Sequence, residues 1–348
     1  MTGNSERRIV VPENLAPPDR AGDFEARALR AETSGRFTEA VAAMESGRLH
    51  FPLPGNGSTA DRFAALRAVA EDDLCLARLV EGHVDAVAIL AELDGPSAES
   101  GSRWGVWAAE PPGEGLSATR RPGGGWSVSG LKQYCSGAHS CTHALVTARA
   151  EEGRRLFAVA LSDASYEPVE GTWRALGMAG SDTPDVRFHE APAEPVGGVE
   201  DYVNRPGFQH GGIGVAACWL GGAHAVARPL HAAAARGNDP HTRAHLGAVD
   251  VDLHAAGLTL EAAATAIDSD PLDAKGEARL LSLRVRALIE AACRRALDHV
   301  GRATGAGPLC HDQRHARNVA DLTVYIRQHH AERNLAELGT LLSEREGL

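Results

Sequence analysis

Apolar residues recur at helical spacing from Asp23 to about Leu93, most regularly through Leu76, Leu79, Val80, Val84, Val87 and Leu90. A stripe repeating every three to four residues is one buried helix face. This region is therefore predicted to be helical, interrupted only between Phe51 and Gly57 and ending near Gly95 and Pro96. The period then changes. Trp126 and Val128 alternate with Ser127 and Ser129, Arg155 to Leu161 is a buried-strand run, and Val186 and Phe188 flank Arg187. Glycine and proline punctuate these segments, which predicts short antiparallel strands. From Arg205 the helical period returns in Ala/Leu-rich stretches near 208–236, 242–266 and 271–303, with a last one over about 312–345. Four long helices joined by short connections predict a four-helix bundle. The expected class is α+β: a helical domain over 1–100, a middle antiparallel β domain over 101–200 and a helical bundle over 201–348. The first twenty residues, with Pro12, Pro17 and Pro18, are expected to run extended.

The 348 residues, 43% hydrophobic and 23% charged, have an ordinary globular composition. A formal net charge of −11 argues against nucleic-acid binding, which demands a basic face. No apolar run approaches a membrane span and no signal-peptide core follows Met1 to Arg8, so the expected location is cytoplasmic, with no membrane partner. The six scattered cysteines suit reduced, mostly buried thiols. Cys135, His139, Cys141 and His143 would share a strand face, but the run from Ser136 to Ala138 interrupts such a strand and the spacing is no standard zinc pattern. No metal site is expected. The glycine clusters do not open a helix after a strand, so a Rossmann nucleotide fold is not expected either.

The candidate chemistry lies between Trp104 and Ala148. A flat apolar ring with one polar edge needs an aromatic or aliphatic wall and aimed donors, and Tyr134 and Ser136 could supply them. The plainer alternative is that Tyr134 packs in a core and Ser136 ends a strand. The succession Glu110-Pro111, a Gly-rich bend at Gly123 to Gly125, then Trp126, Val128, Gly130, Lys132 and Tyr134 at alternate positions resembles the acyl-CoA dehydrogenase family. The resemblance implies that family's three-domain fold, FAD as cofactor and an acyl thioester, on CoA or a carrier protein, as substrate. Carried over position by position, the flavin-contacting residues are Glu110, Tyr134, Cys135 and Ser136, with Ser181 and Thr183 from a Gly177-Met178 run. Arg243 would pair with the pyrophosphate, commonly that of a neighbouring subunit, and Gly305 would lie in a turn near the cofactor. Tyr134-Cys135-Ser136 stands where the family has Trp-Ile-Thr/Ser, Ala179 replaces its Arg, and Leu246 its Phe. Gly82-His83 is a further, weaker match, and Ser181-Asp182-Thr183 is by itself also a turn signature.

The family's base, a carboxylate that takes the substrate's α proton, does not carry over. Ile326 follows Tyr325 where one branch has Glu, and Gly211 stands where another branch has it. Histidines lie beside both: His210, His329 and His330. A neutral imidazole is a competent base, and His330 and His210 are the nearer candidates, because adjacent helical positions point about 100° apart. The alternative is that His329 and His330 lie on a solvated helix face with Glu332 and Arg333; Glu110 is another possible carboxylate. Three functions stay open: dehydrogenation of an acyl thioester with an unconventional base, passing electrons to an acceptor; a reduced-flavin monooxygenase served by a flavin reductase; or a non-catalytic flavin- or acyl-binding homologue. The apolar helices and Arg243 also imply a homodimer or homotetramer.

Overall fold

The computed structural model describes residues 20–113, 115–161 and 165–345; the extended run expected over the first twenty residues lies almost wholly outside them. Three helices come first: α1 (Arg20–Glu45), α2 (Thr59–Asp72) and α3 (Leu74–Glu92). The Phe51 to Gly57 interruption separates α1 from α2. Asp73 starts α3 sharply, its carboxylate accepting from the Leu76 amide at 3.0 Å, which satisfies one of the free N–H groups of a helix start. Most of α3 is buried, Glu81 and His83 included.

Seven strands follow: β1 (Trp104–Trp107), β2 (Leu116–Arg120), β3 (Trp126–Lys132), β4 (His143–Ala150), β5 (Gly153–Ala160), β6 (Tyr166–Val169) and β7 (Asp185–Val196). Their pairing β4-β2-β3-β7-β5 closes on itself through β4–β5, with β1 added to β4 and β6 to β7. The sheet is not purely antiparallel as expected: β1 and β2 both run parallel to β4. Parallel neighbours need a long connection, and the path from β1 to β4, which contains β2 and β3, provides one. At Gly130 the β3–β7 register shifts, φ is +118°, and an added Cβ would lie 2.3 Å from the Gly115 carbonyl oxygen. Only glycine fits that bulge.

The remaining helices are α4 (Asp201–Asn204), α5 (Pro206–Arg236), α6 (Pro240–Ser269), α7 (Ala278–Thr304), α8 (Gly307–His311), α9 (Gln313–Tyr325) and α10 (Glu332–Ser343). The last stretch is therefore not one long helix. Beyond α9 a single 3-10 turn covers Ile326–Gln328, His329 is extended and Ala331 has φ +43°. Side chains replace the lost helical bonds: the His330 amide donates to Asn334 Oδ1, and the Ala331 amide to His329 Nδ1. One core runs through all three regions, from Phe37 through Trp107, Phe157 and Phe188 to Trp219, Ile289 and Tyr325. Gly221 lets α5 touch α2, since a Cβ there would meet the Arg67 carbonyl oxygen at 2.2 Å.

Candidate functional site

Two loops meet at the end of the barrel. Residues after β3 carry Tyr134 at φ +61°, then buried Cys135 and Ser136. The segment before β7 carries Ser181 and Thr183. Gly137 donates its amide to the Ser181 and Asp182 carbonyls, at 2.9 and 2.7 Å, which fastens one loop to the other. The hydroxyls then connect: Thr183 Oγ1 lies 2.8 Å from Ser181 Oγ and donates to Ser136 Oγ at 3.1 Å. The Ser136 hydroxyl keeps its own proton to donate elsewhere. Its carbonyl accepts from Trp107 Nε1 at 2.9 Å, so the end of β1 abuts the same point. Beyond Trp107, Ala109 and Glu110 are exposed, and Tyr134 is 52% exposed. Lys132, buried, donates to Thr147; burial lowers its pKa to about 8, opposed by nearby Glu110.

Ser136 also lines a cavity of about 10 Å³, bounded by Arg78, Gly82 and Cys141 together with Gly105 and Val106 of β1. That is room for about one water. A flavin ring does not fit it. Tyr134, exposed after β3, and the exposed chain from Ala109 to Glu110 after β1 are the outward-facing segments that lead away from Ser136. The cavity itself fits only a small group.

From Arg78 a charged cluster extends into the helices. Arg78 pairs with Glu81, and Arg62 Nη2 lies 3.4 Å from Asp85 Oδ1. Burial raises the Glu81 carboxyl above its ordinary range, against the pull of Arg78. Tyr325 and Cys218 lie within the same field, and the Tyr325 hydroxyl is buried without an accepting or donating oxygen or nitrogen partner. Its ring packs edge-on to Trp219, 6.4 Å between centroids, and Arg286 sits 4.6 Å over the Trp219 ring. Arg286 donates to the carbonyls of Gly212 and Gln328. Among the described residues no carboxylate lies within ion-pair distance of it, and burial lowers its pKa to about 10. Trp219 Nε1 and His329 Nε2 are likewise buried without partners.

The structure thus sorts the expected residues. Tyr134, Cys135, Ser136, Ser181 and Thr183 come together, although Cys135 turns inward, its thiol donating to the Lys132 carbonyl at 3.2 Å. Glu110 stands nearby with Arg154 at 3.3 Å. Arg243 is exposed on α6 and donates to Asn238, and Gly305 ends α7; among the described residues no contact ties either to the Ser136 cluster. The histidines change places. His330 is exposed, whereas His329 is buried, because the turn after α9 is not helical and the 100° argument does not apply. Burial, with Arg286 next, lowers the His329 pKa. His210 is buried too, but the charges nearest it are Glu92, Arg205, Asp273 and Asp268, none of which borders the Ser136 cavity. Cys135, His139, Cys141 and His143 do not converge: His139 bonds Asp182 and His143 stacks on Trp104.

One residue was missed. A Cβ at Gly211 would lie 2.6 Å from Asp85 Oδ2, so a carboxylate from α3 enters the space beside the glycine of α5. The i, i+4 pair Glu81 and Asp85 on an otherwise apolar helix was the signal available. His83, in the same helix, accepts the Trp104 amide on Nδ1 at 3.2 Å and ties α3 to β1, with burial lowering its pKa to about 4.

No family model and no curated protein sequence matches the chain. Solved structures do. KijD3, in complex with FMN and a dTDP-linked amino keto sugar, aligns with a TM-score of 0.70 at 21% identity, over 96% of this chain and 97% of its own. TdsC from Paenibacillus sp. A11-2, with FMN and indole, gives 0.72 at 17% identity over 93% and 98%. The methanesulfinate monooxygenase MsuC from Pseudomonas fluorescens gives 0.71 at 19% over 96% and 99%. These are flavoenzymes with the acyl-CoA dehydrogenase fold. The chain described here has that fold. Among its described residues no helix is long and apolar enough to cross a membrane.

Proposed function

We propose that the protein is a flavin-dependent oxidoreductase of the reduced-flavin monooxygenase kind. The observation that carries the reading is a buried polar cluster around Arg286, in which Arg286 has no counter-ion, His329 Nε2 has no hydrogen-bond partner and the Tyr325 hydroxyl has only the Cys218 thiol beside it. Buried polar atoms are almost always satisfied, so this cluster has the chemistry of a place where a small polar ligand would supply the missing partners. Tyr134 and the exposed chain ending at Glu110 would hold the flavin, and Ser136 would donate to its polar edge. The bound cofactor, once reduced, supplies the electrons for attack on dioxygen. Arg78, which borders the Ser136 cavity, and Arg286 would supply positive charge, and His329 Nε2 would accept or return a proton. The structural neighbours named above, a monooxygenase and FMN complexes among them, support this class and favour FMN over the FAD that the resemblance implies.

A second reading keeps the dehydrogenase. Asp85, reaching the space beside Gly211, would take an α proton from an acyl thioester on CoA or a carrier protein, in place of the absent glutamate. Titration of the purified protein with FMN, FAD and their reduced forms tests the flavin; no spectral change with any of them overturns both readings. Incorporation of an oxygen atom from dioxygen into the substrate, with reduced FMN supplied, separates them, since only the first reading oxygenates its substrate. His329→Ala should then lower turnover by about 10² to 10⁴ with flavin binding intact, while His330→Ala and His210→Ala should not. Asp85→Asn should do so if the second reading holds.

A homodimer or homotetramer belongs to the same proposal. An exposed stripe on α6, Ala244, Gly247, Val251, Ala255 and Leu258, adjoins Arg243 and offers a symmetric contact. Light scattering that returns a monomer overturns it.

A further inference from the structure

An open cleft of about 260 Å³ separates α1 from the barrel, walled by Arg27, Arg30 and Ser34 on one side and by His139, Glu170 and Asp182 on the other. None of these six borders the Ser136 cavity. Arg27, Arg30 and Ser34 are spaced i, i+3 and i+7, so they share one face of α1. Arg27 is exposed and, among the described residues, has no carboxylate within ion-pair distance.

Across from them His139 is held rather than loose. Its amide donates to Asp182 Oδ2 at 2.7 Å, and its Nδ1 meets Asp182 Oδ1 at 2.9 Å. Because Asp182 is only 2% exposed and acts as acceptor, the proton belongs on Nδ1, and Nε2 is left for the cleft, 3.5 Å from Glu170 at the rim. Asp182 itself sits at φ +47°, a costly backbone for a residue with a Cβ, and its carbonyl is pinned by the amides of Gly137 and Ala138. Arg30 lies 3.6 Å from the same carboxylate. Asp182 is thus fully engaged in orienting His139 and Arg30, whereas Arg27 and the outer guanidinium face of Arg30 remain to be used, and His139 Nε2 faces only the exposed Glu170, which a bound anion would displace. The hydrogen bond that His139 donates to Asp182 holds the His139 pKa above its ordinary value; Glu170 adds to this, and burial and Arg30 oppose it. Two guanidinium forks and an imidazolium around an open cleft match the donors that a tetrahedral oxyanion accepts.

We propose that this cleft is a second binding site, separate from the Ser136 cavity, for a small molecule bearing a phosphate- or sulfate-like group held by Arg27, Arg30 and His139. Calorimetric titration with sulfate, and separately with inorganic phosphate, at constant ionic strength made up with chloride tests it. Sulfate keeps its charge between about pH 6 and pH 9, so any change in its affinity across that range reports the protein, His139 foremost. The expected result is saturable binding, tighter at the lower pH, weakened about tenfold or more by Arg27→Gln and by His139→Asn, and made insensitive to pH in the second variant. Arg27 is exposed, so its variant keeps the fold, which an unchanged melting temperature verifies. Three results overturn the proposal. One is no saturable binding by the native protein. Another is native-like binding by the Arg27→Gln, His139→Asn double variant. The third is a matching loss of FMN affinity in Arg27→Gln, which would make the cleft part of the cofactor's own phosphate site. Native-like FMN binding in that variant, with sulfate binding lost, supports two sites whatever the enzyme's activity proves to be.

Discussion

The Ser136–Thr183 cluster and the Arg78–Arg286 cluster both bury polar groups, but they do so under opposite terms. In the first, each of the three hydroxyls has a hydrogen-bond partner within 3.1 Å, and the cluster joins two loops of the barrel. In the second, two ion pairs are accompanied by an unneutralised Arg286, by a His329 nitrogen with no partner and by a Tyr325 hydroxyl with only the Cys218 thiol beside it. A completed network specifies structure. An incomplete one costs stability; besides the proton that Ser136 keeps to donate, the helical cluster is where the proposed substrate would find unmet polar groups.

The largest effect that can break this contrast is Arg78→Met. It leaves Glu81 buried and unpaired, and chemical denaturation should show a loss of about 3–5 kcal/mol; a loss below about 1 kcal/mol would mean that Glu81 is already neutral or solvated. Next comes the seam between the two regions. His83 has a folded pKa of about 4 against 6.5 for the free side chain. The unfolded chain therefore binds the extra proton first, and stability should fall as pH drops from about 6.5 to 4, by up to about 3 kcal/mol. Above that window the contribution is complete. In His83→Gln, which can still accept the Trp104 amide, this part of the pH slope should vanish from the melting curves. Thr183→Val removes the bond to Ser136 and should cost about 1–2 kcal/mol. Smallest is Tyr325→Phe, which removes a hydroxyl whose only neighbour of hydrogen-bonding kind is the weakly bonding Cys218 thiol: unliganded stability should stay within about 1 kcal/mol or rise. A clear destabilisation there would reveal a partner for the hydroxyl and weaken the case for a ligand.

Much of the barrel loop chemistry was legible because it is local. Tyr134 and Ser136 are two residues apart, Ser181 and Thr183 likewise, so each pair stays within one loop, although Tyr134 ends exposed and Ser136 buried. The helical stretches were legible for the same reason, through their period. The parallel pairing of β1 with β4 was not, since alternation is identical in either direction. The inward turn of His329 depends on a helix ending at Tyr325, although nothing at Ile326 to Gln328 is a helix breaker; the stop comes from Asn334 and His329 themselves bonding the backbone. Asp85 could not be matched to Gly211 from spacing alone. A residue that empties its own position and a carboxylate that fills it from another helix are related only through the packing of α3 on α5.

The closed barrel also fixes an order of assembly. β2 with β3, and β4 with β5, are hairpins on short turns, and pair between neighbours in the chain. β7 joins β3 across the whole of β4, β5 and β6, and β5 on its other side. Contacts so distant along the chain form late. In pulse-labelled hydrogen exchange, the amides of β4 and β5 should gain protection before those of β7. Ser136 lies on the early side of that divide and Thr183 on the late side. On a ribosome, then, Ser136 is synthesised 47 residues before Thr183, whose hydroxyl bonds it.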